Sequence, residues 1–505
     1  MKILMVYPQY PVTFWSFKHA LKFISKKSSY PPLGLLTVAA MLPEKWEKKV
    51  VDMNVTRLSD QDIGWADYVF ISAMAIQKES VKEVIRLCRE LGAVTVAGGP
   101  LFTMEPDDYH DIDHLVLGEA ESILPEFLTD LQNGCARHLY KAKSSPDITK
   151  TPLPIWSLIN MKHYSAMSVQ YSRGCPFNCE FCDIAILNGH RPRTKSTSQM
   201  INELDVLYKQ GWRNGVFIVD DNFIGNRKKL KSEILPAIIE WRRSKRSPFT
   251  LNTETSINLV DDDELLNLMV EAGFNAVFIG IETPNDDSLQ ECAKNQNRNR
   301  DLQAAVRKLH NAGLEVQGGF IVGFDNDPLS IFKSQISFIQ KSGIVTAMVG
   351  LLNAPPGTRL FQRLKKENRI VGDFDGSNME CNFIPRMNYQ TLIDGYKHIL
   401  DTIYSPRHYY ERITTFLKEF NPYKKHRLNF SFDHVRLLWK SFWILGLAEK
   451  GKRYYWRLMV STVLKRPRSF PAAMKLAIYG YHFRRVVNKY MGTTLGVSKT
   501  EESTG

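Results

Sequence analysis

The 505-residue chain lacks the marks of a secreted, membrane-spanning or repetitive protein. Its seven cysteines are too few, and odd in number, for a disulfide framework. No apolar run approaches the roughly 20 residues of a membrane span. The N-terminal MKILMVYPQY has one lysine and a short apolar run broken by Pro8, which falls short of a signal peptide. The chain is therefore expected in the cytoplasm. There is no tandem repeat, low-complexity tract or heptad run. Net charge is also missing from most of the chain. Residues from Asp401 to Gly505 hold 20 Lys and Arg against 7 Asp and Glu, which accounts for the whole +13, so the first 400 residues are about neutral. The remaining composition is ordinary, with 44% apolar and 24% charged residues. That is enough for real cores, and the length suggests two to four domains.

The pattern of elements divides the chain. Residues 1–140 alternate apolar strands (KILMVY, KVVDMN, DYVFISAM, VTVAGGP, HLVLGEAE) with amphipathic helices such as KESVKEVIRLCRELG. This predicts a doubly wound parallel sheet, whose ligands bind at the carboxyl ends of the strands. Those ends carry Ser72, Gly98, Gly99, Gly118 and Glu119, where glycines would let a bulky ligand approach the backbone. The polar, proline-rich residues 141–165 read as a linker. Residues 166–370 repeat a βα rhythm six times, and four helices stop at Gly211, Gly273, Gly313 and Gly343. Six units predict a partial parallel barrel with its function at the carboxyl ends of the strands. Residues 371–490 are helical in propensity, aromatic and basic. Residues 491–505 read as a disordered tail.

Three of the seven cysteines crowd into QYSRGCPFNCEFCD, at Cys175, Cys179 and Cys182, directly after the first barrel strand. Thiolates bind iron and zinc. The spacing C-x3-C-x2-C fits neither paired structural zinc nor a Cys2His2 plan, and His163 and His190 lack zinc-ligand spacing. A [4Fe–4S] cluster held by three cysteines leaves one iron open to a substrate. Zinc with a distant fourth ligand, or three unconnected cysteines, are the alternatives, and the position after the first barrel strand argues against both. Acids recur at later strand ends: Asp220 and Asp221 after the second, Glu254 after the third and Glu282 after the fourth, with Gly323 after the fifth. For any single acid, a helix cap or a surface loop is the competing reading.

The cysteine spacing, with aromatic Phe181 before the last cysteine, resembles the radical S-adenosylmethionine (SAM) enzymes. The resemblance implies that Cys175, Cys179 and Cys182 hold the cluster and that its open iron binds SAM. One electron would then cleave SAM to methionine and a 5′-deoxyadenosyl radical. It further implies SAM contacts at Phe181, Asp220, Asp221, Glu254, Glu282 and Gly323. The preceding doubly wound domain, with GGP at 98–100 and GEAE at 118–121, resembles the cobalamin-binding class of these enzymes, with Ser72, Gly98, Gly99, Gly118 and Glu119 as cobalamin contacts. The Asp-x-His-x-x-Gly loop that ligates cobalt from below is missing after the first strand. The sequence there is YPQYPVTFW, and His19 lacks the flanking residues, so no lower histidine is expected. Across its length, including VDDNFIGNRKK and the C-terminal region, the chain resembles members that methylate hopanoids at ring carbon 2.

The implied activity is a cobalamin-dependent C-methyltransferase acting on a hydrophobic lipid or tetrapyrrole. A flavodoxin- or ferredoxin-type protein would supply the electron. A non-methylating cyclase or coupling enzyme is the alternative. RNA modification ranks lower, because methylthiolating enzymes usually carry extra N-terminal cysteines and residues 1–87 have none. The basic, aromatic C-terminal stretch suits a helical cap on the barrel, an anionic membrane surface or, less well, single-stranded nucleic acid.

Overall fold

A computed structural model describes residues 1–377, 379–422 and 432–500, and of residues 432–434 and 493–500 the backbone alone. The chain forms two compact units. One comprises Met1–Pro11, Lys27–Asn226 and Asn353–Asn378, and the other Val12–Lys26, Arg227–Leu352 and Met379–Gly505.

The first unit is built on a six-stranded parallel sheet. Its strands are β1 (Lys2–Tyr7), β2 (Glu47–Asp52), β3 (Tyr68–Ser72), β4 (Val94–Gly98), β5 (His114–Leu117) and β6 (Leu139–Lys141), in the order β2-β1-β3-β4-β5-β6. Continuous apolar strands bury both faces. Leu4, Val6, Val69 and Ile71 pack toward one helical layer, while Ile3, Met5, Phe70 and Val96 pack toward the other. The strand bodies are buried, but Ser72, Gly98, Gly118 and Glu119 at the carboxyl ends are half-exposed. The expected linker begins as β6, which pairs with β5, and continues in single turns that bury Ile148, Trp156 and Tyr164. Its apolar residues pack rather than trail through solvent.

The same unit holds β7 (Ala166–Val169), β8 (Ser172–Arg173), β9 (Arg193–Thr194) and β10 (Gly215–Ile218). β10 pairs in parallel with β7, and β8 pairs antiparallel with β9.

The second unit contains β11 (Thr250–Glu254), β12 (Phe274–Glu282), β13 (Glu315–Val322) and β14 (Ala347–Leu351), parallel and paired in chain order. Counted with β7 and β10 of the first unit, they number the six strands that the sequence predicts in residues 166–370. Gly273, Gly313 and Gly343 cap helices in the left-handed conformation, and so does Gly211 in the first unit. Helices at Tyr389–Tyr404, Pro406–Glu419, Phe432–Ser441, Lys452–Lys465 and Phe470–Thr500 complete the second unit. The first of them covers β14: the Tyr396 hydroxyl donates to the Val349 carbonyl (3.2 Å) and the Tyr404 hydroxyl to that of Ala347. Side-chain donors thus satisfy carbonyls of a strand that would otherwise offer an open edge. The last helix continues through residues 491–500, because extending a formed helix adds one hydrogen bond per residue fixed. Residues 501–505 of the expected tail lie outside the described residues.

Candidate active site

The three cysteines sit on a loop, residues 174–192, whose base is closed by the β8–β9 ladder. None of the three is in a disulfide, and all are half-buried. Gly174 is required where the loop leaves β8. Its φ is +96°, and a Cβ there would lie 2.9 Å from the carbonyl oxygens of Arg191 and Gly189. The loop folds back on itself through Cys175 N–H donating to Gly189 O (3.2 Å) and Cys182 N–H to Cys179 O (3.2 Å). Glu180, between the last two cysteines, ties the loop to the helix at Arg359–Lys366. Its carbonyl accepts from Leu360 N–H (3.0 Å), and its carboxylate accepts from Arg363 Nε (2.9 Å) and Nη2 (3.2 Å). Among the described residues no three Cys, His, Asp or Glu side chains converge as ligands of one metal ion. Thiolates that each hold a different iron of one cluster need not converge.

The two acids after β10 brace this loop. Asp220 is fully buried and accepts from Tyr171 N–H (2.8 Å), Ser172 N–H (2.8 Å) and Ser172 Oγ (2.6 Å). Burial pushes its carboxyl up to about 7, against the pull of those three donors. Asp221 accepts from Gly174 N–H (2.7 Å) and Asn188 Nδ2 (3.0 Å), and burial raises its carboxyl too. Asp220 and Asp221, expected as SAM contacts, thus hold the backbone that presents the cysteines.

A second set of contacts joins the cysteine loop to the GEAE stretch. Arg173, which precedes Gly174, donates through Nη1 to Glu119 (2.8 Å) and Glu121 (3.0 Å). Its Nη2 reaches Glu121 (2.7 Å), and its Nε reaches Gln170 (2.8 Å). Arg193, opposite Arg173 in the β8–β9 ladder, holds Glu119 through both terminal nitrogens (2.7 and 3.0 Å). Glu121 also accepts from Thr151 Oγ1 (2.8 Å). Burial alone would raise the Glu121 carboxyl, but Arg173 outweighs it and holds the group below its ordinary value. Neither arginine stood out in the sequence, and Glu121 appeared only as the last residue of GEAE. The only local signal was a basic residue directly before the Gly-Cys.

The strand-end glycines of the first sheet have neighbours within the chain. A Cβ at Gly98 would lie 2.7 Å from the Val116 carbonyl oxygen. One at Gly99, where φ is +100°, would lie 3.0 Å from Ser72 Oγ, and one at Gly118 would lie 2.8 Å from Ala142 Cβ. Close backbone approach at this edge is thus already demanded by the sheet itself. No histidine lies in residues 8–16 after β1. His19 belongs to the other unit, where its ring stands 5.6 Å from that of His482.

In the second unit, Glu254 ends β11 and is half-exposed. Glu282 ends β12 at a register shift, with φ at +64°, a conformation rare for a side chain of this size. Its carboxylate pairs with Lys294 Nζ (2.7 Å), and Asn297 Nδ2 donates to the carbonyls of Gly280 (3.0 Å) and Ile281 (2.9 Å) just before it. Gly323 follows β13 with φ at +107°, and its N–H donates to Asp327 (2.9 Å). Asp327 also accepts from Ser288 Oγ (2.7 Å), and burial pushes its carboxyl up to about 6. The strained strand end at Glu282 and the buried acid at Asp327 were not legible in the sequence.

Three family models match the chain: the B12 binding domain over residues 23–128, the radical SAM superfamily over 169–335, and a domain of unknown function over 358–494. The chain is 38% identical to an uncharacterized methyltransferase of Synechocystis, over 98% of this chain and 94% of the relative. It is 32% identical to the hopanoid C-2 methylase of Rhodopseudomonas palustris, over 92% and 90%. Among solved structures it resembles the radical SAM methyltransferase TsrM of Kitasatospora setae, with cobalamin and [4Fe–4S] cluster bound. That match has a TM-score of 0.60 at 15% identity and covers 94% of this chain and 98% of that one, which shows a shared fold.

Proposed function

Because the chain belongs to the cobalamin-binding radical SAM methyltransferases, we propose that it methylates an unactivated carbon of a hydrophobic substrate, a hopanoid or other isoprenoid lipid or a tetrapyrrole. The observation that carries this reading is the clamp of Arg173 and Arg193 on Glu119 and Glu121. It ties the half-exposed end of a B12-type sheet to the three-thiol loop. A methyl carrier and a radical source act on one substrate carbon only if their supports are held in register.

The donor set fits a [4Fe–4S] cluster: three cysteines outside any disulfide, on one braced loop, one for each of three irons. Cys175, Cys179 and Cys182 would hold it, and it would supply the electron that cleaves SAM. Phe181, Glu254, Glu282 and Gly323 are the proposed SAM contacts. Asp220 and Asp221 act by fixing the loop backbone at Tyr171, Ser172 and Gly174. The half-exposed strand ends at Ser72, Gly98, Gly99 and Gly118 fit a flat cofactor laid across the edge of the sheet, and cobalamin there would supply the methyl group. Glu119 contributes through the arginine clamp. Residues 8–16 would offer that cofactor no histidine.

The reductant is proposed to be a small acidic carrier of flavodoxin or ferredoxin type. Arg359, Lys365 and Lys366 are exposed on the helix that Glu180 joins to the cysteine loop, so a docked carrier would stand close to the cluster.

Lipid and pigment profiling of a deletion strain tests the reading: a product one methyl group heavier should vanish and return on complementation. In the purified anaerobic protein, Cys175→Ala should abolish cluster assembly and 5′-deoxyadenosine formation. Residual 5′-deoxyadenosine from that variant would refute the assignment of the thiols.

A further inference from the structure

The helical region of the second unit has an apolar face that its own core does not use. The helix Phe432–Ser441, continued as a wider turn through Phe442–Ala448, leads back along Lys452–Lys465. On the inner side Leu445, Tyr455, Leu458 and Met459 are buried. A solvated cap would turn charged residues outward. Here the outer side of the first arm exposes Trp439 (63%), Phe442, Trp443 (51%) and Leu447, at i, i+3, i+4 and i+8. The second arm exposes Trp456, Val460, Val463 and Leu464 (76%), at i, i+4, i+7 and i+8. The two stripes are one surface. The Phe442 ring meets that of Trp456 at 5.6 Å, and Trp439 meets Phe442 at 6.2 Å and Trp443 at 5.9 Å.

Charge indicates what covers this face. Between residues 435 and 468 there are nine Lys and Arg and one acid, Glu449. Glu449 faces Arg484 Nε at 3.9 Å. Arg453, Arg457 and Lys465 are exposed beside the apolar stripes. A second copy would bring the same cations against each other, which disfavours a self-complementary contact. Indole rings and leucines flanked by lysine and arginine match the boundary between acyl chains and anionic headgroups. No helix among the described residues is long and apolar enough to cross a membrane, so contact would be along the surface.

We propose that the outer face of this hairpin docks the protein on an anionic lipid bilayer, with Trp439, Trp443 and Leu464 in the headgroup boundary and the basic residues on lipid phosphates. The inference is independent of the reaction catalysed. It requires only lipid, so binding can fail or succeed whatever the substrate proves to be.

The test is co-sedimentation of the full-length protein with phosphatidylcholine vesicles, with and without phosphatidylglycerol. Binding is expected only when the anionic lipid is present, and it should weaken with salt. Each Lys or Arg near such a surface contributes about a fivefold gain in partition, so Arg457→Gln with Lys465→Gln should lower it roughly 25-fold. Trp439→Gln with Trp443→Gln should lower it at least as far. Because these side chains are exposed, the thermal midpoint should hold. In the unaltered protein, brominated acyl chains should quench tryptophan fluorescence, a readout that needs no variant. Vesicle binding indifferent to both double variants would overturn the proposal. So would equal binding to neutral vesicles, or a dimer that Trp439→Gln and Trp443→Gln dissociate. Retention of single-stranded nucleic acid without vesicle binding would do the same.

Discussion

The clamp between Arg173 and Glu121 gives the sharpest test of how the first domain and the cysteine loop work together. Arg173 is 14% exposed at its side chain and Glu121 10%, so the pair is largely removed from solvent. Taking one partner from such a pair costs on the order of 3 kcal/mol, since the other charge stays behind unpaired. Glu119 would keep Arg193, while Glu121 would keep the Thr151 hydroxyl and its own backbone N–H but no cation, so the penalty concentrates at Glu121. Arg173→Met and Glu121→Gln should each destabilise the unit by roughly 2–4 kcal/mol. The double variant should be less destabilised than the sum, with a coupling energy of about 2 kcal/mol. Denaturant unfolding of the anaerobic apoprotein would supply the cycle. The functional arm is separate. If the clamp keeps radical source and methyl carrier in register, Arg173→Met should still form 5′-deoxyadenosine while single-turnover S-adenosylhomocysteine falls at least tenfold against it. A coupling energy under about 0.5 kcal/mol would refute the energetic argument. An unchanged product ratio in a destabilised variant would reduce Arg173 to a structural strap.

Three other outcomes follow from the same loop. Asp220 has a folded-state carboxyl at about 7 against an ordinary 3.8, so the native state holds a proton that the unfolded chain releases. Its favourable contribution is full below about pH 4 and is lost as pH rises through about 7, by up to about 4 kcal/mol. Asp220→Asn should flatten that part of the stability–pH curve, and a slope identical to that of the parent would sink the assignment. Gly174→Ala places a Cβ 2.9 Å from two carbonyl oxygens at φ +96° and should cost roughly 2–3 kcal/mol of loop order. Iron content per chain and the visible absorption after reconstitution should both drop. Arg359→Glu with Lys366→Glu should slow reduction by an acidic carrier protein about tenfold, with dithionite reduction unchanged. Equal losses with both reductants would exclude a docking role.

Much of the fold could be read from periodicity. The strands of both parallel sheets lie where continuous apolar runs stand, and glycines at 211, 273, 313 and 343 stop their helices in the left-handed region. The missing pieces are short or nonlocal. β6 is three residues, LYK, with charge around it, and it is held only by pairing to β5. The β8–β9 ladder is two residues long on each side and has no propensity to detect. The site divides the same way. The cysteine trio is contiguous and carries its own spacing. The arginine partners of Glu119 and Glu121 are 52 to 74 positions away, and no local pattern could join them.

The acids at the strand ends have partners within the chain, so a bracing role stands beside the ligand contacts that their positions suggest. Asp220, Asp221 and Asp327 accept from backbone N–H groups of the loops beside them, and Glu119, Glu121 and Glu282 face cations. A carboxylate that accepts from loop N–H groups fixes where the loop presents its own atoms. The energetics of the site therefore rest on backbone held in place, and the two roles separate experimentally. For an acid that touched SAM directly, conversion to its amide would weaken SAM binding and leave the cluster intact. For an acid that braces the loop, the same change should lower iron occupancy and cluster stability together, with SAM affinity per loaded cluster nearly constant. Asp221→Asn is the position to measure. It would keep an acceptor oxygen for Gly174 N–H while losing the charge that holds Asn188. Its cluster should load less completely, and the SAM dissociation constant of the loaded fraction should shift by less than about threefold.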